Sequence, residues 1–526
     1  MVPPGLTATL RFSAGQLDMP RFNGDRRRHA LLISERLEGI AAARRKLVLQ
    51  LEELDEQAKI MQHEFNVLHN LDALTSNLPD EALAMIFEAG ALPGSTHWPH
   101  FGVVVSHVSS RWRRVALSTA RLWTEIVWRA SDSLVWRSKQ TEQSLKARAI
   151  AFLERSRFAP LDITILQYRL EGFSPDFLQL LNDHIGRYRN LCIKDVQQSG
   201  LVKVVESLSN TASLLSSIDL SSENMEFDID IQLPLLFPSG APCLKTVQLH
   251  NIDSDFIQLS LPAFGSVASL RLTGLAVEDT LEGYEAFRNA LMALQSLHHL
   301  ELQLEYYLDD DISDLPVVLP TVQFMRLQAP PGHLDTVIRS FKAANLLALS
   351  LEGWNGLEYE IGMEDLSTLR FPSLEHLILT GISVNKPFLD AYAQRFPDIT
   401  RLTCQVYPNA PGCDIDYVLT PICHGTQKYE YPDFIGPPEI DVEWDRWPKL
   451  EVIAVSATDT PLDPLLYTTV SIATFVTSLR KLMLPHALCA QVGADVMAKL
   501  REEVQVEDYI LDWPTPFPKY TRGTLR

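Results

Sequence analysis

Pro242-Cys243-Leu244-Lys245-Thr246-Val247-Gln248-Leu249 and Phe371-Pro372-Ser373-Leu374-Glu375-His376-Leu377-Ile378-Leu379 share one pattern, and its recurrence decides the reading of the fold. Each places three aliphatic side chains at Leu-x-x-Leu-x-Leu spacing. The last two alternate, as they do in a strand that buries one face. The triplet recurs at Tyr188/Leu191/Ile193, Leu215/Ile218/Leu220, Leu244/Val247/Leu249, Val267/Leu270/Leu272, Leu297/Leu300/Leu302, Val322/Met325/Leu327, Leu346/Leu349/Leu351, Leu374/Leu377/Leu379, Ile399/Leu402/Cys404, Leu450/Ile453/Val455 and Leu479/Leu482/Leu484. Its eleven starts are 27, 29, 23, 30, 25, 24, 28, 25, 51 and 29 residues apart. Several triplets follow a proline in the form Pro-x-Leu or Pro-x-Ile, as at Trp447-Pro448-Lys449-Leu450 and Phe396-Pro397-Asp398-Ile399.

Working outward, most intervals fall near the roughly 20–29-residue period of leucine-rich repeats, whose units bury their cores only by stacking. The expected architecture over residues 181–490 is therefore an irregular leucine-rich-repeat solenoid, a horseshoe. A parallel α/β sheet made from the same strands is the alternative. The interval of 51 is about two periods, so residues 405–445, rich in Pro, Gly, Tyr and Asp, hold a degenerate repeat or an insertion. Excursions from a repeat scaffold often lie on its binding face, which makes this one a candidate contributor to target choice.

The N-terminal third carries another periodicity. Residues 1–30, with Pro3, Pro4, Gly5, Gly15, Pro20 and Gly24, are expected to be a flexible lead-in. Leu37, Ile40, Leu47, Leu51, Leu54, Ala58, Met61, Phe65 and Leu68 then follow alternating steps of three and four, with Arg44 in one slot. This predicts an amphipathic helix within 31–72, roughly 55 Å long over residues 34–70. Such a seam serves a homodimer through residues 34–70 or packing back onto the helix's own domain.

Thr75-Ser76-Asn77-Leu78-Pro79-Asp80-Glu81 reads as a helix start, with capping side chains, an early proline and two acids facing the helix dipole. Its apolar face is Leu83, Ile86 and Phe87. After the Gly94–His100 loop a second helix is predicted from Gly102 to Ser118, with Val104, Val108, Trp112 and Val115 on one face and Arg111, Arg113 and Arg114 on another. The ordered pattern Leu78-Pro79-x-x-x-Leu83-x-x-Ile86-Phe87, then Val105-Ser106-x-Val108-x-x-Arg111-Trp112-Arg113-x-Val115-Ala116, then Leu122-Trp123, resembles the F-box in its fungal form.

The resemblance implies a three-helix module over residues 73–128 that binds a Skp-type adaptor and, through it, a cullin ubiquitin ligase. The contact would draw on Leu78, Pro79, Leu83, Ile86, Phe87, Val104, Val108 and Trp112. So small a module cannot bury all its apolar side chains alone, and the remainder marks a patch for a partner. Residues 129–180 are expected to be a linker with a first strand and helix unit, and residues 491–526 a C-terminal cap. The fold expected overall is α plus α/β: a helix, an F-box module, and then the horseshoe.

Composition narrows the function. The chain has 526 residues and a net charge of −20, unevenly shared. Residues 1–157 hold 21 Lys and Arg against 17 Asp and Glu, while residues 158–526 hold 25 against 49. An acidic surface repels phosphate backbones and attracts a basic protein, so nucleic acid is not an expected partner and a basic protein target is. The six cysteines are scattered as in a reduced, intracellular protein, cytoplasmic or nuclear. No apolar run reaches the roughly 18–20 residues needed to span a bilayer, so no membrane partner is expected.

Cys404, Cys413, Cys423 and His424 lack the compact spacing of a structural zinc site, and His97, His100 and His107 have no acidic or cysteine partner by spacing. The acids after Tyr306-Tyr307-Leu308 lack the alternation of a calcium loop. No phosphate-binding glycine loop, nucleophile elbow or zinc-protease helix occurs, so neither catalytic residue, cofactor nor metal is expected. The function that follows is a non-enzymatic ubiquitin-ligase adaptor whose repeat region holds a target. The alternative is a leucine-rich-repeat scaffold outside any ligase, oligomerising through the N-terminal helix.

Overall fold

The computed structural model describes residues 23–71, 74–91, 100–129, 139–166, 174–222, 234–252, 254–277, 280–306, 315–330, 333–352, 370–380, 395–405, 447–456, 478–491, 494–510 and 513–517. The excursion over residues 405–445 lies, but for Gln405, outside them. By internal contacts the chain divides into two compact units, Met1–Gly90 with Val103–Val115, and Ala91–Gly102 with Ala116–Arg526.

In the first unit, α1 runs from Asn23 to Leu71, starting earlier than the heptad seam predicts. Arg, Leu, Glu and Ala before Leu37 favour helix without contributing to a seam. A 3-10 turn over Leu74–Asn77 leads into α2, Asp80–Gly90. The helix predicted from Gly102 to Ser118 is two helices, α3, Phe101–Ser106, and α4, Ser110–Ser118, both crossing the unit boundary. The break lies at Ser109, whose Oγ accepts from Trp112 N at 3.2 Å and so caps a fresh helix start.

The second unit is organised by strands. All eleven triplets end in one, and their aliphatic positions are buried in every case. In chain order the strands are β1 Glu125–Arg129, β2 Leu161–Leu166, β3 Tyr188–Val196, β4 Ser217–Ser222, β5 Thr246–His250, β6 Ser269–Ala276, β7 His299–Tyr306, β8 Val317–Val318, β9 Phe324–Gln328, β10 Phe341–Lys342, β11 Ala348–Glu352, β12 His376–Thr380, β13 Arg401–Gln405, β14 Val452–Val455, β15 Lys481–Leu484 and β16 Gln505–Asp508. Fourteen of them, all but β8 and β10, form one sheet in sequential order, and every neighbouring pair is parallel. β8 and β10 pair with each other.

Helices occupy several crossovers: α5 Lys139–Arg155, α6 Pro175–His184, α7 Gln198–Ser207, α8 Ser254–Leu259, α9 Leu261–Phe264, α10 Leu281–Ala293, α11 Leu334–Ser340, α12 His486–Gln491 and α13 Ala494–Glu503. This corrects the expected fold. An F-box module followed by a leucine-rich-repeat horseshoe is not what forms; the described residues build an α/β arrangement around one long parallel sheet. The triplet specifies a strand and one buried side, whereas the architecture depends on the crossovers, and helical crossovers return each strand parallel to the last.

Register supplies the core. Leu270 on β6 pairs with Leu300 on β7, which pairs with Met325 on β9 and then Leu349 on β11, and all four are fully buried. Fully burying such a side chain contributes roughly 1.5–3 kcal/mol. The other face also carries buried groups, among them Asp219, Gln248, Glu301, Ser350 and Thr403, as parallel sheets covered on both sides require.

Candidate functional site

Two surfaces carry distinctive chemistry, one in each unit. In the first unit, Pro79 is exposed at the entry to α2, and Asp80 and Glu81 occupy its first turn. Leu83 and Phe87 turn inward and are buried, while Ile86, one residue from Phe87, stays 52% exposed. Trp112 on α4 packs against Phe87 with ring centroids 4.9 Å apart and is half-buried. Val104 on α3 and Val108 in the break are 44% and 56% exposed. The expected contact residues thus separate into an internal set, Leu83, Phe87 and Trp112, and an outward set, Pro79, Ile86, Val104 and Val108. Leu78 is half-buried between them.

One residue that the helical pattern only placed on another face turns out to organise this region. Arg111 Nε donates to Asp80 Oδ1 at 2.9 Å, its Nη1 donates to the Thr75 carbonyl at 3.1 Å, and its Nη2 donates to the Leu78 carbonyl. Arg114 Nη2 reaches Asp80 Oδ2 at 3.1 Å. The hydrogen bonds from Arg111 and then Arg114 hold the Asp80 carboxyl below the usual carboxylate range. The turn bearing Leu78 and Pro79 is thereby tied to α4. Met85, 71% exposed and off the apolar face, is a further outward residue that periodicity does not identify.

The same unit presents the α1 seam. Leu37, Ile40, Leu47, Leu51, Leu54, Met61, Phe65 and Leu68 are all between 60% and 65% exposed.

In the second unit the site lies on the polar side of the sheet, at the middle positions of the triplets. Gln248, Arg271, Glu301 and Arg326 align in register across β5, β6, β7 and β9. Arg271 Nε donates to Glu301 Oε2 at 2.8 Å, and its Nη1 donates to Gln248 Oε1 at 3.1 Å. His299 Nε2 donates to Glu301 Oε1 at 2.8 Å. Over this patch runs Trp513-Pro514-Thr515-Pro516-Phe517. Trp513 Nε1 donates to Glu301 Oε1 at 3.0 Å, and Thr515 Oγ1 accepts from Arg271 Nη2 at 3.1 Å. The Arg271 guanidinium lies 4.3 Å from the Phe517 ring centre, and His299 meets Trp513 and Phe517 edge-on at 5.2 and 5.6 Å.

Burial by itself raises the Glu301 pKa, but the hydrogen bond from His299, the charge of Arg271 and the indole N–H of Trp513 outweigh it and bring it down to about 2. The carboxylate is ionised, enclosed and matched by donors on every side. No sequence motif marks this cluster. Its one local signal is the alternation of aromatic, proline, threonine, proline and aromatic at the C-terminal end.

No protein-family model matches the chain, and no curated protein matches it.

His100, one of the three histidines near the loop, is packed rather than solvated. Its ring lies 4.8 Å from Phe152 and 6.0 Å from Trp123, and its Nδ1 accepts from Gly102 N at 3.2 Å. Burial, with a smaller contribution from the Arg148 charge, pushes its pKa down to about 4. His107 is exposed and His97 lies outside the described residues. Cys404 is buried on β13, where desolvation pushes its thiol up to about 12, while Cys413, Cys423 and His424 lie outside the described residues. So do Tyr307 and the acids that follow it. Among the described residues, no group of three metal-ligating side chains comes together, and no helix is long and apolar enough to cross a membrane.

Proposed function

We propose that this chain is a non-catalytic adaptor joining two proteins. Its helical unit docks on a Skp-type subunit of a cullin ubiquitin ligase through Pro79, Ile86, Val104 and Val108, and its sheet unit receives the target. One observation carries the docking half. Of the apolar residues in the F-box-like pattern, Leu83 and Phe87 are consumed by the chain's own core, while Ile86, Val104 and Val108 stay open to solvent in a unit whose entry turn is pinned by Arg111. Exposed aliphatic side chains on a rigid frame suit a constant partner.

The test is a pull-down of the full-length chain with a purified Skp-type adaptor. Ile86→Asp with Val108→Asp places charge on the outward set and spares the core, so the far-UV spectrum should not change. Adaptor affinity is expected to fall by at least about thirtyfold, the effect of losing a roughly 2 kcal/mol hot spot. Undiminished binding by this variant, with Pro79→Ala added, would remove the assigned surface.

A second reading is favoured by the α1 seam. An interaction scaffold outside any ligase would use this exposed stripe to join two copies of the chain in a coiled coil. Light scattering of the full-length protein should then give twice the monomer mass, and Leu47→Asp with Leu54→Asp should return it to the monomer. A wild-type monomer at tens of micromolar, a range in which coiled coils of about four heptads associate, would count against this reading.

A further inference from the structure

The C-terminal segment over the polar sheet face is held in an unusual way. Residues 513, 515 and 517 turn toward the sheet, with Phe517 buried, while Pro514 and Pro516 face solvent. Among the described residues its hydrogen bonds to the sheet are made by side chains, not by strand pairing. Glu301 reads an indole N–H, Arg271 reads a hydroxyl and stacks on a ring, and His299 and Phe324 form an aromatic bed, the latter 6.2 Å from Trp513. Pro514 and Pro516 fix φ at two of the five residues, and a tight turn closes across Pro514 where Thr515 N donates to the Trp513 carbonyl at 2.8 Å, so less conformational freedom is lost on docking. Because side chains join the segment to the sheet, its opening breaks no strand pairing and leaves the sheet itself intact.

We infer that the Arg271, Glu301, His299 and Phe324 patch is a recognition site for an aromatic-Pro-x-Pro-aromatic peptide, occupied here by the chain's own Trp513–Phe517 as an internal competitor. A target with this chemistry enters by displacing the segment. The inference rests on the target-binding half of the proposed function and is independent of the adaptor half. A tethered copy of a ligand acts at an effective concentration on the order of millimolar, so it screens out weak peptides and admits only those that match the patch better or present it repeatedly.

The experiment uses the full-length protein without any adaptor and a fluorescent peptide spanning Ile510 to Tyr520. Fluorescence anisotropy compares the wild type with Trp513→Ala plus Phe517→Ala, in which the internal segment is disarmed. The peptide is expected to bind this variant at least about tenfold more tightly than it binds the wild type. Arg271→Lys added to the variant should abolish most of that gain, because lysine supplies neither the fork nor the planar stack. A peptide with both aromatics replaced by alanine should bind neither protein.

Should the double variant not fold, Trp513→Phe removes only the indole bond to Glu301 and is expected to give an intermediate affinity. Absence of binding to a folded disarmed variant, or equal affinity for both proteins, overturns the inference. Loss of Skp-type adaptor binding would leave it standing, so the two failures are distinguishable.

Discussion

Glu301→Ala is expected to destabilise the sheet unit by about 3–5 kcal/mol, the usual consequence of removing one member of a buried ion pair. The Glu301 side chain is 5% exposed and the Arg271 side chain 13%, so the guanidinium has little water to turn to once the carboxylate is gone. Gln248 and Thr515 still accept from it, but neither carries charge. His299 and the Trp513 indole each lose their acceptor as well. Urea unfolding at pH 7 measures the difference, and an unchanged midpoint would show that the cluster contributes nothing net.

The pH dependence gives an independent check. Glu301 has a folded pKa of about 2, below its ordinary 4.5, so the folded state holds the proton less readily than the unfolded chain does. Its contribution is complete above about pH 4.5 and is lost as pH falls toward 2. The gap between wild type and Glu301→Ala should therefore narrow steadily below pH 4.5. A gap that is constant across that range would contradict an ionised Glu301 at the centre of the cluster.

Trp123→Ala is expected to lower stability by about 3–5 kcal/mol as well, through a different mechanism. Trp123 is fully buried in a 3-10 turn ahead of β1, with Phe152 edge-on at 5.0 Å and the Arg155 guanidinium 4.5 Å from its ring centre. Its Nε1 donates to the Ala116 carbonyl at 2.8 Å. Truncation leaves a large cavity and deprives that carbonyl of its donor. Trp123→Phe keeps most of the volume and should show mainly the second loss, about 1–3 kcal/mol. Equal midpoints for both variants would mean that the indole hydrogen bond, and not packing, accounts for the loss.

His100 reports on the same region. Burial holds its pKa near 4 against an ordinary 6.5, so the folded chain is least challenged above pH 6.5 and loses stability as pH falls from there toward 4. In Trp123→Ala, water reaching the ring should bring its pKa back up, which a proton NMR titration of the imidazole would show.

The strand-forming triplets were legible because alternation is a local property. One face of each strand must be apolar wherever the strand is placed, so Leu244, Val247 and Leu249 declare themselves without reference to their neighbours. The long helix α1 was legible for the same reason, although its start was not, because the residues before Leu37 favour helix without carrying heptad spacing. Division of the apolar residues into Leu83 and Phe87 inside and Ile86, Val104 and Val108 outside was not legible, since each fits the apolar periodicity of its own stretch. The break at Ser109 was hidden because a capping serine and a mid-helix serine look alike in sequence.

The polar patch lay furthest from view. Arg271 and Thr515 are 244 residues apart, and Glu301 and Trp513 are 212 apart. Each is an ordinary residue in its own stretch, and only the packing of residues 513–517 onto β6, β7 and β9 makes them a site. By itself the sequence determined the eleven strands that carry a triplet, which face of each is apolar, and that a long helix precedes them, because these follow from short-range periodicity, while β1, β2, β8, β10 and β16 carry no triplet. The tertiary structure alone decided that the strands join in one parallel sheet, that Arg271 and Glu301 share a register, and that the last described residues cover them. Those outcomes depend on crossovers and long-range pairing, whose free energy is distributed over contacts that no window of sequence contains.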